Sequence, residues 1–332
     1  MTGTGPSRKR WNHDRLLLMP PDPLVSVIVP VHRGEATLPR LLTSILAQRP
    51  PCDELWILET DPTPTIADLA RSVEAEYVEV DGASFDHAAT RTAAARQATG
   101  EILVFLTQDV ILRDESTLSD LVGSLLSDDR IGAAYGRQIP DENADPVAAV
   151  KRLFNYPDRS RTKTAADRGE LGLRTPFISN AFAAYRRSAL EEIGFFGRRE
   201  LICEDVRAGA TLLEAGWRIH YEADAVVHHT HHFSFGQEFG RYFDIGVAHH
   251  RHRWILDRFG GSDGDGLRYL RVGFAHLRRE RQWLKMPEFV LRAMLGRVAY
   301  SLGRHHRGLP RSWRGRLSSF PGWWDRFESD GD

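Results

Sequence analysis

A chain of 332 residues with 42% apolar and 27% charged side chains can bury one large α/β domain with an appendage, or two ordinary domains, and is neither disordered nor fibrous. Two cysteines exclude a disulfide framework and match no metal-binding spacing, and no stretch approaches the ~20 apolar residues of a membrane span. The net charge of −1 conceals an asymmetry: from Arg251 to Phe320 sixteen Arg or Lys accompany five Asp or Glu, so a basic tail follows an acidic body.

Residues 1–22 are polar, carry no signal-peptide core and read as a flexible segment, which points to the cytoplasm. Val25-Ser-Val-Ile-Val29 is a β-branched run stopped by Pro30. Glu35–Gln48 follows with Leu38, Leu41, Leu42 and Ile45 at helical spacing. Leu55–Leu58 is a second strand, 65–73 a helix, Glu76–Val80 a third strand, Ala88–Ala98 an Ala-rich helix and Glu101–Leu106 a fourth strand. This alternation predicts a doubly wound, mainly parallel α/β sheet, in which ligands bind beyond the carboxyl ends of the strands. No G-x-G-x-x-G or G-x-x-x-x-G-K-[ST] loop is present.

After Pro140 the alternation stops. The pattern predicts a mixed helix and loop insertion over 141–174, helices over 188–193 and 205–215, a strand over 218–227 and one long helix over 235–259. Domain boundaries fall at 23–140, 141–258 and a basic amphipathic helical tail, 259–332. In that tail Leu291, Met294, Leu295, Val298 and Leu302 share one helical face, with Arg297 and Arg304 opposite. Basic residues mixed with aromatics suit an anionic membrane surface, and a helix docked on the body fits the same pattern. No nucleic-acid motif accompanies it.

Four places carry residues suited to chemistry. Asp109, directly after the most apolar strand, either caps a turn or supplies an oxygen ligand to a hard cation that neutralises a diphosphate. Glu204-Asp205 opens a helix, where acids are favoured by the macrodipole, and one of the pair can act as general base. In Val227-His-His-Thr-His-His232, strand alternation puts His229 and His231 on one face, where either imidazole can complete a metal site. Arg91, near a helix start, is either a surface residue or a phosphate contact. His249, His250 and His252 read as surface residues.

Together these runs resemble the family 2 glycosyltransferases, and within them the rhamnosyltransferases. The likeness is carried by Val25–Val31, Phe85-Asp-His-Ala-Ala-Thr-Arg91, Phe105-Leu-Thr-Gln-Asp109, Tyr135–Gln138, Ser179–Arg187, Glu204-Asp205, His229–Ser234 and Gln237–Gly246. It implies a GT-A-like fold and inverting transfer of a sugar from a nucleotide-sugar donor, dTDP-L-rhamnose by preference. The acceptor it implies is a cell-surface or lipid-linked glycan at the inner face of the plasma membrane. It further implies that residues 23–140 bind the nucleotide sugar and 141–258 the acceptor. Asp109 and His229 would hold Mg2+ or Mn2+, Asp205 with Glu204 would provide the base, and Pro30, Glu59, Asp81, Arg91 and Gln108 would surround the nucleotide. Three departures stand out: Gln108 precedes Asp109 where the family commonly has a second acid, the loop Glu59–Thr65 carries two prolines, and Thr92 stands where related sequences often have Asn.

Two other functions compete. A sugar-phosphate nucleotidyltransferase also uses a metal in an α/β crevice, but His32-Arg-Gly-Glu35 is a poor version of the basic, Gly-rich loop it needs. A non-enzymatic module for anionic surfaces explains the tail and leaves Asp109, Asp205 and His229 without a purpose.

Overall fold

The computed structural model describes residues 23–83, 85–141, 143–230, 233–261 and 265–327; residues 1–22, His231 and part of the 260–266 break lie outside that set. The first half alternates as expected: β1 (Val25–His32), α1 (Leu38–Leu46), β2 (Glu54–Thr60), α2 (Pro64–Ser72), β3 (Glu76–Val80), α3 (His87–Gln97) and β4 (Ile102–Leu106). Each crossover helix starts where the chemistry of its first turn allows. Pro64 occupies the first turn of α2 behind a Thr63 cap, and the Asp86 carboxylate accepts from the Ala88 and Ala89 N–H groups at the head of α3.

Strands β1 to β4 pair in parallel in the order β3-β2-β1-β4. The chain therefore runs outward from β1 on one side and returns to its other side, which opens a crevice at the carboxyl ends of β1 and β4. Side chains of β1 alternate between two cores. Val27, Val29 and Val31 pack with Leu38, Leu41 and Ile45 of α1, while Ile28 joins Phe105, Tyr185 and Phe196 on the other face.

The sheet continues where the sequence pattern weakens. After β5 (Ile111–Leu112) and α4 (Thr117–Leu126) come β6 (Ile131–Ile139), α5 (Pro146–Asn155), β7 (Arg161–Lys163), α6 (Arg168–Leu171), β8 (Phe182–Arg186), α7 (Arg187–Glu192), α8 (Glu204–Glu214) and β9 (Arg218–His228). β8 runs antiparallel between β4 and β6, β9 is parallel to β6, and β5 and β7 add antiparallel to β9. β6 and β8 carry Ala133, Ala134, Gly136, Ala183 and Ala184, a composition that does not announce a strand. Their small side chains are required by packing: a Cβ on Gly136 would lie 2.3 Å from the Phe182 ring.

The long helix expected over 235–259 is two, α9 (Phe235–Arg251) and α10 (Arg253–Phe259). The backbone leaves helical values at His252 (φ −103°, ψ 47°), whose Nε2 lies 2.6 Å from the buried Glu200 carboxylate. The tail forms α11 (Asp265–Arg279), α12 (Met286–Arg304), α13 (Arg311–Leu317) and α14 (Pro321–Phe327). No helix among the described residues is long and apolar enough to cross a membrane.

Most of the tail docks on the body. α12 lies along α9 so closely that a Cβ on Gly303 would sit 2.0 Å from the Phe243 carbonyl, and one on Gly246 2.3 Å from that of Tyr300. Trp323 and Trp324 are buried with Leu201, Phe243 and Val247, and Phe289 of α12 packs with Val147 and Val150 of α5. His249 and His250, read from sequence as surface residues, face this tail instead: His249 Nδ1 is 3.0 Å from the Tyr300 hydroxyl, and the His250 ring stacks edge-on against His306. The docked side of α12 is its small one, with Gly296, Ala299 and Gly303, because only small residues permit that backbone approach. Leu291, Met294 and Val298 remain exposed.

Gly303→Leu must push α12 off α9, and overpacking of this kind costs about 3 kcal/mol or more. Urea denaturation should show that loss. Gly236→Ala, in the first turn of α9 with nothing within 4 Å of its added Cβ, should leave stability unchanged or slightly higher.

Candidate active site

A cavity of about 850 Å3 opens beyond the carboxyl end of β4, between the sheet, α5, α8 and α9. Arg91, Asp109, Glu204, Asp205 and His229, five residues singled out from sequence, line it together.

Asp109 sits in the turn that follows β4, closed by the Val110 N–H donating to the Thr107 carbonyl. One of its oxygens is 3.4 Å from Nε2 of His229, which is buried just beyond β9. The backbone N–H of His229 donates to the Ile139 carbonyl at the end of β6, and the Arg152 Nε donates to the His229 carbonyl. The imidazole is oriented by a chain: Gln138 Nε2 donates to the Ser179 hydroxyl, so Gln138 Oε1, 2.9 Å from Nδ1, accepts from it. Burial, helped by the Arg152 charge, pushes the His229 pKa down, and a hydrogen bond with Asp109 opposes that shift. The carboxylate and the imidazole, 3.4 Å apart, offer one oxygen and one nitrogen to a shared proton or to a cation in its place. Among the described residues no third His, Cys, Asp or Glu joins them into a metal cluster. A pair of protein ligands that leaves the other positions to phosphate oxygens and water suits a hard divalent cation and not a structural zinc.

The second feature is the start of α8. Cys203 adopts a left-handed conformation (φ 66°, ψ 27°), rare for a residue with a Cβ, and turns the chain so that Glu204 and Asp205 both enter the cavity wall. Their environments differ. Glu204 is buried, 3.1 Å from Arg91 Nη1, and accepts from Asn180 Nδ2. Burial opposes its charge, yet the Arg91 guanidinium holds its pKa below the usual carboxylate value. Asp205 keeps part of its surface open to the cavity and accepts from the backbone N–H groups of Asn180 and Val206. Burial and the adjacent Glu204 charge push its pKa up to about 7.

The other residues proposed from sequence lie at the carboxyl ends of β1 to β4 and line no part of this cavity. Pro30 pairs across β1 and β2 with Leu58. Glu59 is fully buried and accepts from the Tyr77 and Thr63 hydroxyls. The Asp81 carboxylate accepts from the Ala83 N–H. The Gln108 amide bridges both backbone groups of His32, accepting from the N–H at 2.7 Å and donating to the carbonyl at 3.0 Å, and so ties the end of β1 to the turn bearing Asp109.

Several cavity residues were not singled out from sequence. Asn180 bonds both carboxylates of α8. Lys151 and Arg292 meet at Glu238, with N–O distances of 2.5 and 2.7 Å. Glu238 and Arg241 belong to the run Gln237–Gly246, whose likeness to other sequences was visible while the part each residue plays was not. The tail also contributes: Phe320 lines the cavity and packs edge-on against His87, whose pKa burial pushes down to about 4.

Comparison with known proteins agrees with this architecture. The family model described as glycosyl transferase family 2 matches residues 26–194. The chain is 34% identical over 307 residues to the O-antigen chain rhamnosyltransferase RfbN of Salmonella typhimurium, spanning 92% of this chain and 97% of that protein. It is 33% identical over 309 residues to the O-antigen chain rhamnosyltransferase WbaN of Salmonella anatum, with the same shares. Among solved structures, the mannosyltransferase PcManGT from Pyrobaculum calidifontis, in complex with GDP-Man and Mn2+, superposes with a TM-score of 0.55 at 18% identity, over 96% of this chain and 93% of that one. The fold is therefore GT-A-like, and the chain belongs to glycosyltransferase family 2.

Proposed function

We propose that this glycosyltransferase moves L-rhamnose from dTDP-L-rhamnose onto a hydroxyl of a surface glycan carried on a lipid, working at the cytoplasmic face of the plasma membrane. The names of the two Salmonella relatives support the sugar and the acceptor class. One observation carries the reaction: an open carboxylate, Asp205, with its pKa raised to about 7, shares a cavity with the Asp109–His229 pair.

In this reading Asp205 accepts the proton of the acceptor hydroxyl as that oxygen bonds to the anomeric carbon. The bond from that carbon to the diphosphate breaks, nucleoside diphosphate leaves with the electron pair, and the anomeric configuration inverts. A carboxylate with a pKa near 7 is half ionised at neutral pH and still basic enough for the task. Glu204 is the weaker base of the two, because Arg91 and Asn180 both hold its Oε1 and keep its pKa low, while its charge raises the pKa of Asp205. Asp109 and His229 would hold Mg2+ or Mn2+, which when bound neutralises the diphosphate and makes it a better leaving group. Gln108 ties the turn bearing Asp109 to β1, Arg91 holds Glu204, and Pro30, Glu59 and Asp81 at the ends of β1 to β3 would lie toward the nucleotide.

Release of nucleoside diphosphate from a panel of nucleotide sugars with Mn2+ should be fastest with dTDP-L-rhamnose; faster release from UDP-hexoses would refute the donor assignment. EDTA or Asp109→Ala should abolish release, and unchanged turnover after exhaustive chelation would remove the metal.

Asp205→Asn keeps the size of the side chain but cannot take the proton, so turnover should fall about 10²-fold, or roughly 2.7 kcal/mol of barrier. Wild-type turnover should fall about tenfold per pH unit below a limb near pH 7. The same shift has a sign in stability. A carboxyl whose pKa is raised on folding makes the native state weaker as pH rises from about 4 to about 7. Asp205→Asn should therefore melt above wild type at pH 8 while losing activity.

Arg91→Leu would strand the buried Glu204 charge at a cost of about 3–5 kcal/mol. Adding Glu204→Gln should restore much of that stability, and a denaturation double-mutant cycle with no coupling would refute the pairing.

A further inference from the structure

Helix α12 has two apolar sides. The small one, with Gly296, Ala299 and Gly303, is buried against α9. The large one, with Leu291, Met294 and Val298, recurs at helical spacing roughly opposite and stands in solvent at 48, 62 and 51% exposure. The stripe continues past the start of the helix into the 3-10 turn 283–285, where Trp283 is 54% and Leu284 96% exposed. Leu284 to Val298 spans roughly 20 Å at helical rise. Large apolar side chains are exposed on other helices too, but a row of this length on one face marks a contact surface.

The charges around the row say what it meets. Arg278 lies over the Trp283 ring at 5.9 Å, and Arg281 follows it. Exposed Arg297 lies beside the row on α12. Neither Arg281 nor Arg297 forms an ion pair among the described residues. From residue 281 to 327 ten Arg or Lys accompany two acids, Glu288 and Asp325, and Glu288 is bound by Lys285 and Arg292. Apolar side chains rimmed by unpaired guanidinium groups match the headgroup boundary of an anionic bilayer, into which the row inserts while the arginines meet phosphates. A second copy of the chain fits poorly, since a two-fold contact through this row would bring like charges together.

We propose that the outer face of α12, with Trp283 and Leu284 at its head, docks the enzyme on an anionic lipid bilayer. The docking deepens the proposed lipid-linked acceptor by naming the surface that meets the membrane. It places α12, one side on the bilayer and the other on α9, between the membrane and the helix that supplies Glu238 and Arg241 to the cavity.

The test uses the full chain and sedimentation with phosphatidylcholine vesicles, with and without phosphatidylglycerol. Wild type should bind the anionic vesicles and lose binding in high salt. Leu284→Ser with Met294→Ser should weaken binding about a hundredfold or more, what losing two large apolar side chains from a bilayer costs. Arg281→Gln with Arg297→Gln should weaken it severalfold through charge alone. Melting temperature and diphosphate release in solution should not change in either variant, because none of the four residues lines the cavity. Equal vesicle binding by wild type and variants overturns the proposal. So does a dimer in analytical ultracentrifugation that the Leu284/Met294 variant abolishes without affecting vesicle binding, which would assign the face to a second copy. Vesicle binding without transfer of rhamnose would refute the donor assignment and leave the docking surface standing.

Discussion

Two neighbouring carboxylates at the start of α8 share one wall of a cavity, and two negative charges in that position repel each other while both lose water. Arg91 resolves the conflict by taking Glu204, at 3.1 Å, and leaving Asp205 with burial and a neighbouring charge to raise its pKa to about 7. Much of the surrounding structure serves this division. The left-handed Cys203 turns both side chains into the wall, Asn180 bonds each of them, and α3 is anchored by its Asp86 cap so that Arg91 points inward. The arrangement is costly to the fold and useful to the chemistry, as functional sites often are.

Opposite this wall the sheet sets a second pair at a fixed distance. Asp109 comes from the turn after β4 and His229 from the end of β9, two strands separated by β8 and β6 in the sheet. Their 3.4 Å approach is made by the residues that follow the two strand ends, because the backbone ladders hold β4 and β9 apart. The small residues of β6 and β8 serve close packing, since a Cβ on Gly136 would meet the Phe182 ring. The same device recurs at the tail, where glycines on α9 and α12 bring two helices into backbone contact. The basic C-terminal region is thus part of the catalytic body on one side and an open surface on the other.

Parts of this were legible in the residues themselves. The parallel half of the sheet followed from short apolar runs alternating with helices of period 3.6, because β1, β2 and β4 are buried on both faces and are rich in Val, Ile and Leu. Asp109 was found because it stands directly after the most apolar strand, and Asp205 and His229 because motif runs surround them. β6 and β8 escaped notice because close packing had replaced their β-branched residues with Ala and Gly. The break at His252 was invisible because a long-range bond to Glu200, rather than any local helix breaker, produces it.

What the sequence determined by itself was the order of elements in the first half, the basic character of the tail and the chemical types available for the site. Tertiary structure alone decided which acid of Glu204-Asp205 is occupied, since the partner Arg91 lies more than a hundred residues away. It also decided which face of α12 is buried. Amphipathicity favoured the Leu291-Met294-Val298 side, but the space beside α9 admits only small residues, so the glycines went inward and the large apolar side chains were left outside.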